Sequence, residues 1–165
     1  MSNKEFFNGR GEQKTLEQII EEMTVYMASR PDAAYEITVG SDSAAREVTS
    51  FVTAIVARRI GNGAIYFWRR SGVERVASLQ DRIWKEALAS LMIAQELRSR
   101  LREQFGEDAF WAGRIDVKHI HLDIGTQGPT RTFIDGVRGM VKGYGFEPVI
   151  KPLSYAAFAV ADLHT

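Results

Sequence analysis

The fold of this chain is decided by one stretch, which reads Tyr35-Glu-Ile-Thr-Val-Gly-Ser-Asp-Ser43. Tyr35, Ile37 and Val39 alternate with other residues, and this period of two residues predicts a β-strand. The strand leads into Asp42, which stands between two serines. A carboxylate at the end of a buried strand is costly to desolvate. Asp42 is therefore either a side chain that caps the following turn or a functional group.

Working outward from that strand, the sequence predicts an α/β fold. A helix begins at Thr15, with Gln18 as its capping-box partner. Three strands with short connections predict an antiparallel meander. A long helix and two further strand–helix pairs follow, and helical crossovers make the two later strands parallel to the first. The predicted strands are 35–43, 49–60, 64–70, 115–124 and 146–151, and the predicted helices are 15–29, 78–105, 130–143 and 155–161.

Composition limits the class of protein. The 165 residues predict a single domain over 15–165, preceded by a flexible N-terminus at 1–14. There is no cysteine, which excludes disulfides and thiolate metal sites, and 21 basic residues balance 21 acidic ones. That balance counts against a protein that coats nucleic acid. No run has the composition of a signal peptide or a membrane span, so we expect a cytoplasmic protein without a membrane partner.

Three further acids occupy positions as unusual as that of Asp42. Glu86 interrupts the apolar stripe of the long helix, Asp123 ends the fourth strand, and Asp162 lies on the final helix. Glu86 taken alone also fits a boundary residue that reaches solvent. The carboxyl ends of adjacent parallel strands open onto one crevice. If their strands are neighbours, Asp42 and Asp123 therefore face the same crevice.

This arrangement resembles the ribonuclease H-like superfamily, which carries acids on its first strand, first long helix, fourth strand and last helix. Matched position by position, the resemblance selects Asp42, Glu86, Asp123 and Asp162. The chain is also similar to the bacterial YkuK family, whose activity is not established. That similarity rests on three motifs: Val39-Gly-Ser-Asp-Ser43, His121-Leu-Asp-Ile-Gly125 and the C-terminal segment 154–165. The implied fold is a five-stranded mixed sheet, three strands antiparallel and then two parallel, with helices on both faces and an extra N-terminal helix.

The resemblance implies a metal-dependent nuclease that cleaves phosphodiester bonds in RNA, DNA or a hybrid. Packed carboxylates repel one another, and divalent cations offset their charge. Oxygen ligands favour Mg²⁺ or Mn²⁺. Two such ions, roughly 3.5–4 Å apart, activate a water and stabilise the leaving oxygen. Asp42 is the expected bridging ligand. The alternative is a non-catalytic module on the same fold that binds nucleic acid or protein.

The histidines add candidates to the site. His121 shares a strand face with Asp123 and is a candidate metal ligand, and His164 follows Asp162 by two residues. His164 is a candidate for proton transfer or for metal binding. The alternative for His121 is a hydrogen-bonded residue beneath the site, and this is the favoured interpretation for His119, which lies further from the strand end.

A basic and aromatic group is centred on the second hairpin. It suits either contact with a phosphate backbone or an ordinary solvated sheet edge. Its members are Arg58, Arg59, Tyr66, Trp68, Arg69 and Arg70.

Overall fold

The computed structural model of the protein describes residues 5–108, 115–125, 127–151, 161, 164 and 165. Its described strands are β1 (Phe6–Asn8), β2 (Gln13–Lys14), β3 (Tyr35–Ser43), β4 (Val48–Thr49), β5 (Phe51–Arg59), β6 (Ala64–Arg70), β7 (Glu74–Arg75), β8 (Ile115–His121) and β9 (Glu147–Val149). Its described helices are α1 (Leu16–Ala28), α2 (Leu79–Phe105) and α3 (Ile134–Gly143), with a 3₁₀ turn at Pro129–Phe133 before α3. None of these helices has both the length and the apolar composition needed to cross a bilayer.

The main sheet has the strand order β2-β1-β6-β5-β3-β8-β9. The pairs β3–β5 and β5–β6 are antiparallel, whereas β3–β8 and β8–β9 are parallel. The predicted five-stranded mixed sheet is therefore confirmed, and its strands are β6, β5, β3, β8 and β9. The short strands β4 and β7 pair with each other in a separate two-stranded ribbon.

The N-terminal segment differs from the expectation of a flexible 1–14. Over its described residues it adds two short strands to the edge of the sheet, because β1 pairs antiparallel with both β2 and β6. Phe6 is buried, and the ring of Phe7 stacks on Trp68 with centroids 4.5 Å apart. Burial of one phenylalanine and stacking of the other hold the strand in place. A strand of three residues is too short to show the two-residue period in the sequence. The polar residues around it therefore led to the prediction of a flexible segment.

Helix α1 begins as its sequence predicts. The backbone N–H of Gln18 donates to Thr15 Oγ1 at 3.1 Å, and the backbone N–H of Thr15 donates to Gln18 Oε1 at 2.9 Å. This reciprocal pair satisfies two backbone donors that the first turn cannot satisfy itself. The stripe that α1 buries against the core consists of Ile19, Ile20, Met23 and Met27.

Helix α2 is fastened to the centre of the sheet by a buried chain of hydroxyl groups. Ser41 Oγ lies 2.7 Å from Ser90 Oγ on the helix and 2.7 Å from Thr53 Oγ1 on β5. Because these buried hydroxyls hydrogen-bond to one another, none of the three is left buried without a hydrogen-bond partner. They also show that Ser41 and Thr53 point to the α2 face of the sheet.

The opposite face of the sheet carries a second, smaller core. Val52 and Ala54 alternate with Thr53 along β5 and so point away from α2. They pack with Ala161, which is helical and fully buried, and Trp68 lies against this cluster. Helical structure therefore lies on both faces of the sheet, as predicted. The rest of the predicted final helix, 155–160, is outside the described residues.

The N-terminal strand gives a prediction about stability. Replacing Phe6 with Ala should lower the free energy of unfolding by about 3–4 kcal/mol, because it empties a fully buried site. Phe7→Ala should cost less, about 1 kcal/mol, since it mainly removes a stacking contact. Urea denaturation followed by circular dichroism measures both changes. A negligible effect of Phe6→Ala would show that the segment is loose in solution.

Candidate functional site

The candidate site lies where the parallel neighbours β3 and β8 end. Gly40 is paired with His121 in the parallel ladder. Continuing this register by two residues brings Asp42 level with Asp123, and the two-residue period of strands puts both on one face. Both predicted acids therefore lie at the same edge of the sheet, at its carboxyl ends.

Asp42 is buried and points away from α2. Its neighbours Ser41 and Ser43 bond to α2 residues, so the alternation of the strand turns Asp42 to the other face. There Thr165 Oγ1 donates to Asp42 Oδ2 at 3.4 Å. The C-terminal end of the chain thus lies directly against the first predicted acid.

Glu86 approaches the same strand from α2. It is only 9% exposed, and Ser43 Oγ donates to its Oε1 at 2.8 Å. Burial, together with the negative charges of Asp42 and Asp123, raises the pKa of Glu86 to about 8, against the hydrogen bond from Ser43 and the charge of Arg82. Three predicted acids are therefore close enough to act on one another electrostatically. Glu86 is not the solvent-reaching boundary residue of the alternative interpretation.

Asp123 is more open, with a side chain that is 27% exposed. Its Oδ1 forms an ion pair with Lys151 Nζ, just beyond β9. The same oxygen is shielded from solvent, and no well-aligned hydrogen bond reaches it from the described residues. Sequence reasoning missed Lys151. The available signal was its place at the carboxyl end of the strand next to that of Asp123.

The histidines of β8 differ in their surroundings. His121 is buried, and desolvation, assisted by the neighbouring charge of His119, lowers its pKa to about 4. It is neutral at pH 7, the form in which a ring nitrogen can bind a metal. His119 Nδ1 instead lies 3.1 Å from Glu36 Oε1. The interpretation of His119 as a hydrogen-bonded residue beneath the site stays a prediction.

His164 is held by an aromatic stack. Its ring lies on Trp68 with centroids 4.1 Å apart and an angle of 10° between the planes, and Trp68 in turn stacks on Phe7. Arg70 donates to the backbone carbonyl of His164. Within the described residues its Nε2 is shielded and has no hydrogen-bond partner. Burial, followed by the charge of Arg70, lowers the pKa of the imidazole.

The fourth predicted acid, Asp162, is outside the described residues, so its position relative to the other three is not described.

The arginines near the second hairpin do not form one group. Because β5 runs antiparallel to β3, the pair Tyr35–Arg59 lies at the opposite end of the sheet from Asp42. There Arg59 stacks on Tyr26, 4.3 Å from its centroid, and Arg58 pairs with Glu36 at 2.6 Å. Arg69 and Arg70 lie at the Asp42 end, paired with Glu5 and with Ser50 respectively. The two pairs of arginines therefore lie at opposite ends of the β5–β6 pairing, with Arg69 and Arg70 opposite Thr53 and Val52.

The donor chemistry of the cluster fits a hard divalent cation. Asp42, Glu86 and Asp123 offer carboxylate oxygens, the ligands that Mg²⁺ and Mn²⁺ prefer, and Asp123 Oδ1 lacks an aligned donor. As the side chains stand, no three His, Asp or Glu residues in the described part of the chain are grouped closely enough to hold one ion. The carboxylates are thus of the right kind and at one edge, without a ready-made cage among the described residues.

Comparison with known proteins agrees with this fold. The family model "Ribonuclease H-like" matches residues 18–165. The chain is 30% identical to the "Uncharacterized protein YkuK" of Bacillus subtilis (strain 168) over 169 residues, which covers 97% of this chain and 96% of that protein. No solved structure matches the chain. The sheet order, the family match and the similarity to this relative show that the chain belongs to the ribonuclease H-like family and, within it, groups with YkuK.

Proposed function

We propose that the protein is a divalent-metal-dependent nuclease that hydrolyses phosphodiester bonds in RNA, DNA or a hybrid of the two. One observation carries the proposal: Asp42 and Asp123 lie at the carboxyl ends of two paired parallel strands, and the buried Glu86 of α2 is hydrogen-bonded to Ser43, the residue after Asp42. The family match adds weight, because it covers all of these residues.

The physical cost of the cluster supports a cation there. Asp42 and Glu86 are buried, and like charges brought together out of water destabilise the folded state. A module that merely binds a partner has no use for that cost, whereas metal-assisted hydrolysis needs ligands of this type. The proposed metal is Mg²⁺ or Mn²⁺, bound as one or two ions.

Each side chain has a proposed role. Asp42, near the end of β3, would be the bridging ligand, while Glu86 and Asp123 would complete the ligand shells together with Asp162. His121, neutral and buried, would add a nitrogen ligand. Bound ions of this type activate water and stabilise the leaving oxygen. His164 would move a proton through Nε2, which the stack on Trp68 holds without a competing partner among the described residues.

The second candidate is a non-catalytic module that binds nucleic acid or protein. Two observations favour it. Basic and acidic residues balance, and the described residues hold no preformed group of three metal ligands. A protonated Glu86 would also ease the repulsion without any metal. Of the three predictions that follow, the first tests the protonation of Glu86, and those on metal binding and hydrolysis separate the two candidates.

The raised pKa of Glu86 predicts how stability changes with pH. The folded state keeps this proton up to about pH 8, whereas the unfolded chain loses it near 4.5. Between these values the folded state binds more protons, so the Glu86 contribution to stability is lost as pH rises. The full effect is roughly 3–5 kcal/mol.

Denaturation of metal-free wild type and Glu86→Gln between pH 5 and 8 measures this effect, since both chains share every other titrating group. His121 acts in the opposite sense, because its lowered pKa makes the folded state bind fewer protons. The difference between the two proteins therefore isolates Glu86. If this difference in the free energy of unfolding does not change with pH, Glu86 is not protonated in the folded protein.

Metal binding should stabilise the fold. At a concentration about 100 times its dissociation constant, Mg²⁺ or Mn²⁺ should add about 2.7 kcal/mol by binding only the folded state. Binding should tighten from pH 6 to 8.5, because the ion displaces the Glu86 proton. Thermal denaturation with and without metal measures both effects.

Asp42→Asn should abolish the metal response, since it removes the proposed bridging ligand. Glu36→Gln provides a matched control, because Glu36 lies on the same face of the same strand but pairs with Arg58 and His119. An Asp42→Asn protein that responds to metal as the wild type does would remove Asp42 from the site.

Hydrolysis should depend on the same residues. Asp42→Asn and Asp123→Asn should each lower cleavage of labelled RNA, DNA or hybrid strands by roughly 100-fold or more, equivalent to at least about 2.7 kcal/mol of transition-state stabilisation. Glu36→Gln should cleave at the wild-type rate. Gel assays with Mg²⁺ and Mn²⁺ measure the rates. A wild-type protein that binds the strands and cleaves none of them would favour the non-catalytic module.

A further inference from the structure

Lys151 lies beside the carboxylate cluster because the chain beyond β9 continues along the end of β8. The backbone N–H of Leu122 donates to the carbonyl of Val149 at 2.9 Å, and that of Lys151 donates to the carbonyl of Ile124 at 2.9 Å. These two bonds hold the backbone of Lys151 next to Asp123. Its Nζ then reaches Asp123 Oδ1.

The two partners of this ion pair differ in exposure. The side chain of Lys151 is 54% exposed and that of Asp123 is 27% exposed. The ammonium thus pairs with the carboxylate while the lysine side chain reaches solvent. Because a partly exposed pair on a flexible lysine is weak, the ammonium can leave the carboxylate at little cost.

A metal ion and the ammonium would compete for the same oxygen. Asp123 Oδ1 already faces the positive charge of Lys151, and two cations within a few ångströms of each other repel. Entry of a divalent ion at Asp123 would therefore turn the ammonium toward solvent. That is the side from which a polyanionic strand must approach.

We propose that Lys151 is an exchangeable counter-ion of this site, which neutralises Asp123 in the metal-free protein and contacts a phosphate of the nucleic acid when metal is bound. This inference rests on the proposed function, since it requires Asp123 to be a metal ligand. It assigns to Lys151 the recognition of the phosphate backbone, which is independent of base sequence.

The first test measures Mn²⁺ affinity by calorimetry on the metal-free full chain at low ionic strength. Lys151→Met should bind Mn²⁺ about two- to fivefold more tightly than the wild type, because the competing charge is gone. Lys151→Arg keeps the charge and should bind as the wild type does. Lys14→Met is the matched control, because Lys14 also pairs with two glutamates, at 3.3 and 3.0 Å, but lies on β2 at the other edge of the sheet.

The second test measures binding of short fluorescein-labelled RNA and DNA single strands by anisotropy over a range of salt concentrations. Ca²⁺ replaces Mn²⁺, because it also takes oxygen ligands but tolerates looser geometry. Lys151→Met should weaken both strands by a similar factor and lower the slope of log affinity against log salt by about 0.7, the value for one lost phosphate contact. A purely structural lysine would not change that slope, and Lys14→Met should leave it unchanged.

Each outcome bears on a definite claim. Equal Mn²⁺ affinity of the wild type and Lys151→Met would overturn the counter-ion role, and an unchanged salt slope would overturn the phosphate contact. If the wild type binds Mn²⁺, neither of these two results contradicts the proposed function. A wild type that binds no Mn²⁺ would overturn the proposed function and this inference together.

Discussion

Parallel pairing of β3 with β8 is the constraint on which the rest of the structure depends. Parallel neighbours need a crossover, and a crossover through a helix places α2 across one face of the sheet. The same pairing brings the ends of both strands to one edge. The acid on α2, the acid near the end of β3 and the acid after β8 thus lie at one edge of the sheet because of one topological choice.

A one-residue irregularity in that pairing decides which side chains face the site. Ile37 is paired with Val117 but Thr38 is paired with His119, so Lys118 is an extra residue in β8. Val117 and Ile120 both lie in the main core, which a regular alternation does not allow. The bulge changes the phase of the strand. It keeps His121 and the position of Asp123 on the face opposite α2, with Asp42.

Local patterns in the sequence predicted the local structure well. The capping box at Thr15, the long α2 and the alternation through Asp42 each depend on neighbours within a few residues, and all are present in the structure. Glu86 was also recognisable, because an acid breaks an otherwise apolar helical stripe. The structure brings three of the four predicted acids, Asp42, Glu86 and Asp123, to one region of the fold. The fourth, Asp162, is outside the described residues.

Features that depend on distant partners were not predictable in the same way. The strand β1 exists because Phe6 is buried in the core and Phe7 finds Trp68, about sixty positions later in the chain. Arg58 and Arg59 are close in sequence to Arg69 and Arg70, yet the antiparallel pairing of β5 with β6 places the two pairs at opposite ends of these strands. Lys151 and Asp123 meet only through the β8–β9 pairing.

The charge balance of the metal-free site follows from these placements. Near neutral pH the proton on Glu86 removes one negative charge, and the ammonium of Lys151 offsets that of Asp123. Asp42 is a buried carboxylate whose charge raises the pKa of Glu86. The proposed divalent cation would therefore displace a proton and an ammonium. That cation would replace two weaker means of neutralisation by a single stronger one, which makes a metal-free fold compatible with the proposed metal binding.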